Sequence, residues 1–245
     1  MKKIKPKGPR IGWILPLVAC AGIYFLSFPV LKSVLKVPDA VLPHANQNVL
    51  TMDSSSGQIR VPLTMVSGKM QNALLIEEDR RFYMHHGIDL LGGIRAIGAN
   101  LRAGKPIEGG STISQQLAKN VFLDWREKTA ARKLQQMVLA WDLENRYSKQ
   151  QILEAYLNEV YFGNGAYGVE TAARRYFGTH AKDLDWGESA FLAGLVQAPS
   201  ELGAPSGRGR ALQRQKEILQ KLQDNGVATT VEVDQALKRK LPLKL

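Results

Sequence analysis

The sequence predicts a mostly α fold. Three observations carry that prediction. From about residue 68 onward, apolar residues recur at helical spacing, as Leu134, Val138 and Trp141 do. Helix-start signatures precede several of these runs: Thr112 with Gln115, Ser148 with Gln151, and Thr229 with Glu232 each fit a capping box. No stretch of any length alternates apolar with polar residues, and no segment repeats.

The elements follow in order. Residues 1–10 form a basic tail with Lys2, Lys3, Lys5, Lys7 and Arg10. Ile11 to Leu31 is a run of 21 residues without a charge. At about 1.5 Å per residue it can cross a hydrocarbon core of about 30 Å. A cleaved signal peptide has a shorter apolar region, about 7–15 residues, so a retained transmembrane anchor over 11–31 is expected. Membrane helices tolerate prolines such as Pro16 and Pro29. The preceding cations place the N-terminus inside and the remainder outside. Cys20 is the only cysteine, so an intrachain disulfide is excluded. Leu17-Val18-Ala19-Cys20 has the look of a lipoprotein processing box, but apolar sequence continues past it to Leu31. Residues 32–60, with Pro38, Pro43 and Ser54-Ser55-Ser56-Gly57, read as a linker, and 61–245 as one domain.

Within that domain, helices are expected over Asn72 to Arg81, Gly93 to Arg102, Thr129 to Arg146, Ser148 to Val160, Leu184 to Leu195 and Leu212 to Asp224. Asn225-Gly226 stops the last of these, and Thr229 caps a short final helix. The aliphatic stretch Leu90 to Ile94 with Ala96-Ile97 reads as core in preference to a membrane-facing lobe. Arg95 and Arg102 beside it suit anionic head groups.

The net charge of +11 is uneven. Seven cations precede the first acid, Asp39, which leaves +4 for the rest. The basic balance therefore belongs to a membrane-flanking tail and not to a nucleic-acid face. Three motifs are decoys. Gly163-x-Gly165-x-x-Gly168 lacks the strand that a dinucleotide fold requires before it. Ser33-x-x-Lys36 has no Lys-Thr-Gly partner. Four histidines, His44, His85, His86 and His180, make no zinc motif.

The candidate site begins at residues 108 to 120, Glu-Gly-Gly-Ser-Thr-Ile-Ser-Gln-Gln-Leu-Ala-Lys-Asn. Gly109 and Gly110 allow close backbone approach to a ligand. The helix start offers free N–H groups to an anion. Gln116, Lys119 and Asn120 share one helix face. Further on, Lys128, Arg132 and Gln136 lie four apart, with Lys133 beside them. Upstream, Glu77, Glu78 and Asp79 are adjacent acids.

These segments fall into a larger pattern. Glu78-Asp79-Arg80-Arg81-Phe82-Tyr83-Met84-His85-His86-Gly87-Ile88-Asp89 precedes the glycine-rich stretch. Arg132-Lys133, Tyr147-Ser148-Lys149, Ile152 to Asn158, Gly163 to Glu170, Tyr176-Phe177-Gly178 and Glu188 to Gly194 follow it. In this order and spacing the chain resembles the monofunctional biosynthetic peptidoglycan glycosyltransferases, whose family includes the glycosyltransferase domain of class A penicillin-binding proteins. The match runs from about residue 60 to about residue 240.

The resemblance implies a lysozyme-like α-helical domain with a small membrane-proximal lobe. It implies polymerisation of lipid II, with a lipid-linked glycan strand as donor, into linear β-1,4 glycan with inversion and release of lipid pyrophosphate. Such a reaction needs a carboxylate to take the proton of the attacking hydroxyl and positive groups to receive the pyrophosphate. The resemblance makes Glu78 the base and gives Asp79 a local structural role. Glu77 is expected to raise the pKa of Glu78 by repulsion. Gly110, Ser111, Thr112, Gln115, Gln116, Lys119, Asn120, Lys128, Arg132, Lys133 and Gln136 are the expected substrate-binding residues. No cofactor is required, although Mg or Mn can sit at the pyrophosphate. Expected partners are the membrane and cell-wall synthesis proteins, not nucleic acid, and the expected place is the bacterial inner membrane. The chain ends soon after the match, so a monofunctional enzyme without a transpeptidase domain is expected.

Two departures stand out. Ser114 replaces the family's usual Thr, and Gln136 replaces an acid. Restoring that acid is expected to raise the rate or leave it unchanged. The Gln136 departure keeps a rival open, a non-catalytic relative that binds lipid II or scaffolds synthesis. A second rival is a lytic, glycan-cleaving enzyme of related fold. The cation cluster and the anchor speak against it, since hydrolysis of a neutral glycosidic bond needs neither.

Overall fold

The computed structural model describes residues 28–42, 51–53, 57–104, 109–123 and 129–244. They are mostly helical. Residues 28–34 form a short helical stretch. Next comes a hairpin of two three-residue strands, β1 (Thr51–Asp53) and β2 (Gln58–Arg60), antiparallel with Thr51 opposite Arg60. Strands this short leave no alternating pattern, and the sequence did not signal them.

Helix α1 (Gly68–Glu78) begins where the Ser67 side chain accepts from Met70 N, earlier than expected. It also stops earlier. Asp79 leaves helical geometry at φ −158° and ψ 73°, so Glu78 ends the helix and Arg80-Arg81 lie in the turn beyond. Helix α2 (Leu90–Ala103) is capped by Asp89 and closed by Gly104 at φ +64°. The Thr112/Gln115 capping box opens α3 (Ile113–Phe122), Thr129 caps α4 (Ala130–Arg146), and the Ser148/Gln151 box opens α5 (Lys149–Glu159). Helix α6 (Val169–Phe177) was not expected, although it is amphipathic: Val169, Ala172, Ala173, Tyr176 and Phe177 are buried while Arg174 and Arg175 are exposed. Helices α7 (Trp186–Leu195), α8 (Pro199–Leu202), α9 (Arg208–Asp224) and α10 (Thr230–Lys238) complete the order.

Two apolar clusters organise the packing. In the larger, α3 lies on α4 and α5 through Ile113, Leu117, Leu139, Leu143, Ile152 and Tyr156. In the smaller, α7, α9 and α10 pack through Ala190, Ala193, Ile218, Leu222 and Val233. Helix α1 joins them. Its Met70 and Leu74 belong to the first cluster and its Ala73 to the second. The helix that carries Glu78 is thus gripped from both sides.

The end of the expected anchor, residues 28–31, and the start of the expected linker both contribute to this packing. Phe28, Val37, Ala40 and Leu42 are buried in the larger cluster, and the Phe28 ring stacks on Trp141 at 5.3 Å. Lys32 pairs with Asp142 at 2.7 Å, and Arg146 ties Asp142 to Asp39.

Helix α2 corrects the core assignment. Leu90, Leu91, Ile94 and Leu101 are 59–77% exposed, beside exposed Tyr83 and Met84. Among its described side chains, what α2 buries is small, Gly92 and Ala96, while Leu90, Leu91, Ile94 and Leu101 face outward. Among the described residues no helix is long and apolar enough to cross a membrane. Residues 11–27 of the expected anchor lie outside the described residues.

Candidate active site

A cleft of about 570 Å³ opens at the end of α1. One wall comes from Gly109 to Thr112 and from Gln116 and Lys119 of α3, with Gln136 of α4. The facing wall comes from Arg80, Gln197, Lys221 and Asn225. Glu78 lies between them.

Glu78 is oriented by a short chain of hydrogen bonds. The buried Tyr156 hydroxyl donates to Gln116 Oε1 at 2.8 Å, which turns the Gln116 amide nitrogen toward Glu78. That nitrogen donates to Glu78 Oε2 at 2.6 Å. Burial pushes the Glu78 pKa above the ordinary carboxylate range and Glu77 adds repulsion, while Gln116, Arg214 and Lys119 pull the other way. The expected influence of Glu77 is present, but desolvation is the larger cause. A base with a raised pKa suits proton abstraction near neutrality.

The two neighbouring acids have other work. Asp79 accepts from Ile113 N at 3.0 Å and from His85 Nε2 at 2.9 Å, which fixes the start of α3 against the end of α1. Glu77 turns to α9, where it pairs with Arg214 and with Lys221 at 2.7 Å.

The cations gather across from Glu78. Burial lowers the Lys119 pKa, and repulsion from Arg132 adds to this against the pull of Glu78. Burial also lowers the Lys133 pKa, helped by Lys119. Lys133 Nζ donates to Ser111 Oγ at 2.9 Å. Arg132 is half-buried, and its Nε and Nη2 are buried without a hydrogen-bond partner. Three crowded cations, with two guanidinium nitrogens unsatisfied, make a site that an oxyanion would relieve.

Most of the expected residues meet here, but not all line the cleft. Gly110, Ser111, Thr112, Gln116, Lys119 and Gln136 do, whereas Arg132 and Lys133 do not and reach it only through their neighbours Lys119 and Ser111. Thr112 also ties the site to the preceding turn, donating to Gly87 O at 2.7 Å. Gly87 has φ +73°, and a Cβ there would come within 2.9 Å of Trp141 N, so the turn tolerates no larger residue. Gln115 is a correction. It is buried and its side chain closes the capping box on Thr112 N, so it shapes the site without facing it. Asn120 is exposed and does not line the cleft. Lys128 lies outside the described residues. Glu144 sits behind α3, accepting from Ser114 Oγ at 2.5 Å and Lys149 Nζ at 2.8 Å, so it does not replace the missing acid at position 136. The facing wall, with Lys221 and Asn225 of α9, was not found from sequence. Those residues lie about 140 positions from Glu78 and belong to no local motif.

One half-buried carboxylate thus shares a cleft with cations, an arrangement that can take a proton beside a departing anion. A family model described as Transglycosylase matches residues 46–223. The chain belongs to the transglycosylase family, that of the glycosyltransferase domain of class A penicillin-binding proteins. It is 44% identical to penicillin-binding protein 1A of Aquifex aeolicus over 71% of this chain and 24% of that protein. It is 37% identical to penicillin-binding protein 1F of Bacillus subtilis over 94% of this chain and 32% of that one. With penicillin-binding protein 1A of Haemophilus influenzae the identity is 39% over 92% of this chain and 26% of the relative. The chain thus spans a quarter to a third of these relatives' length.

Proposed function

We propose that this protein is a peptidoglycan glycosyltransferase that polymerises lipid II into linear β-1,4 glycan strands and releases the lipid pyrophosphate. The observation that carries the reading is Glu78, half-buried and held by Gln116, in one cleft with Lys119, beside which stand Arg132 and Lys133. In this reading Glu78 takes the proton from the sugar hydroxyl of lipid II as that oxygen attacks the anomeric carbon of the lipid-linked strand. The bond from that carbon to the diphosphate breaks. Lys119, Arg132 and Lys133 receive the developing charge, and Ser111 supplies a hydroxyl, while at the start of α3 the N–H groups of Ile113 and Gln115 are already taken by Asp79 and Thr112.

Lys119, Arg132, Lys133, Ser111 and Gln116 supply ammonium, guanidinium, hydroxyl and amide groups, which suit a diphosphate and not Mg or Mn. Among the described residues no cluster of three His, Cys, Asp or Glu could hold one. The domain is lysozyme-like in this reading, with α2 as its membrane-proximal lobe. The exposed Leu90, Leu91, Ile94 and Leu101, with Arg95 and Arg102 nearby, meet the bilayer of the bacterial inner membrane. The basic tail lies inside and the cleft outside. A reporter that works only outside the cytoplasm, fused after Leu245, should be active.

The direct test is purified protein with labelled lipid II. Polymer should form with the wild type, while Glu78→Gln should lose about a hundredfold or more of the rate. A wild-type protein that binds lipid II without polymerising it would favour the scaffolding reading. Shortening of preformed glycan would favour the lytic one.

A further inference from the structure

Gln136 has a role that its neutral amide fits and a carboxylate does not. It is buried in α4, and its Nε2 donates to the main-chain oxygen of Gln115 in α3 at 2.7 Å. The acceptor is itself fixed, because Gln115 closes the capping box with Thr112 and Thr112 is tied to Gly87. Among the described residues, two other hydrogen bonds join α4 to α3 and the turn before it. One is exposed, from Lys133 to Ser111, and one lies two turns further along, from Ser114 to Glu144. The amide is therefore the buried tie nearest the cation pair.

Arg132 stands one helical turn before Gln136 on the same face. Its buried Nε and Nη2 have no partner, so no hydrogen bond from those atoms sets where the guanidinium sits. Its place follows from the backbone of α4, and Gln136 holds that backbone. An ionised Glu at 136 would set a carboxylate oxygen where the amide nitrogen now donates, against the Gln115 carbonyl. It would have to stay protonated or swing away toward Lys119 and Arg132.

We propose that Gln136 is a positioning residue whose amide donation to Gln115 locks the first turns of α4 onto α3 and so sets the spacing of Arg132 and Lys133 around the diphosphate subsite. This rests on the function proposed above, and it reverses the expectation that an acid here would help.

The test uses the full-length protein in detergent, with inorganic pyrophosphate as the probe and calorimetry as the readout. Gln136→Met keeps length and neutrality but removes the donor. Gln136→Glu keeps shape but offers a donor only when protonated. The charged groups around this position are Lys119 of α3, Arg132 and Lys133 of α4 and Glu78 of α1. They are the same in all three proteins, so affinities are compared as ratios to the wild type at each pH. Both variants should bind pyrophosphate about tenfold more weakly at neutral pH, as for a lost buried hydrogen bond. The Gln136→Glu ratio should recover only as pH falls to about 4 and below, where its carboxyl, held ionised by the surrounding cations, regains a proton. The Gln136→Met ratio should stay flat, a distinction that general loosening would not produce. If Gln136→Glu fails to fold, Gln136→Met decides the matter. Wild-type affinity in Gln136→Met, or tighter binding in Gln136→Glu, would overturn the proposal while leaving the diphosphate site standing. No binding by the wild type would overturn the diphosphate site and this inference with it.

Discussion

At the scale of single residues, two adjacent acids with similar sequence context have opposite roles, and the structure gives the reason. The last turn of α1 sends Glu77 to the cations of α9 and Glu78 into the cleft. Glu78 has a folded pKa above its unfolded value, so its ionisation opposes folding. The stability it contributes is full at low pH and is lost as pH rises through the folded pKa. Glu78→Gln should therefore melt at the same temperature as the wild type or higher at neutral pH, with the difference vanishing near pH 4. Glu77→Gln should instead destabilise the fold, through the loss of two ion pairs. Its side chain is 6% exposed between two cations that reach solvent, so its loss should cost about 1–2 kcal/mol, less than the 3–5 or so of a fully buried pair. It should keep most of its activity and shift the acidic limb of kcat/KM to lower pH, because a repulsive neighbour of the base is gone. Thermal melts and pH–rate profiles of both variants check this. Equal activity losses, or a destabilised Glu78→Gln, would defeat the assignment. Glu78 was singled out as the candidate base only through the motif around it. That Tyr156 orients Gln116, which in turn holds Glu78, was not legible, since nothing local links Tyr156 and Gln116, 40 residues apart.

At the scale of elements, helix starts were legible and helix faces less so. The capping boxes at Thr112, Ser148 and Thr229 are all present, because each is a local arrangement that the sequence itself contains. A fourth, Asp185 with Glu188, was missed. The Gly163-x-Gly165-x-x-Gly168 motif is a turn between α5 and α6 in which all three glycines have positive φ, and this explains the spacing without any nucleotide. Helix α2 was read as core because its leucines look like any buried stripe. Which way a stripe faces depends on neighbours supplied by distant sequence. The outward face makes a prediction. Cys20 is the only cysteine, so Cys20→Ser gives a background free of thiols. An environment-sensitive fluorophore on Leu91→Cys in proteoliposomes should then report an apolar setting, while the same probe on Lys216→Cys of α9 should report water. Water-like emission at both positions would sink the membrane role of α2.

At the scale of the whole molecule, the boundary between anchor and domain lies elsewhere than composition suggests. Prolines and serines between residues 37 and 60 read as a tether. Yet Phe28, Val37, Ala40 and Leu42 are buried against the helices that carry the cation site, and Lys32, Asp39, Asp142 and Arg146 form a charged seam beside them. A few apolar residues in a Pro-containing stretch give no periodicity, so only the folded chain shows that they are core. Fully burying a large apolar side chain is worth about 1.5–3 kcal/mol, and ordering the backbone offsets part of that. A net contribution of about 2–3 kcal/mol follows for the segment, which corresponds to about 5–10 °C in a domain of this size. A chain starting at residue 46, where the family match begins, should therefore melt about that much lower than one starting at residue 28, both in the same detergent. The shorter chain should also polymerise more slowly, because α4 loses its packing partner on the side away from the cleft and its Arg132 and Lys133 are less firmly placed. Adding back residues 28–45 as a free peptide should not restore the melt at equimolar concentration, since the tether supplies the effective concentration that a short apolar segment lacks. Coincident melting curves for the two chains would show that the segment lies on the domain without stabilising it.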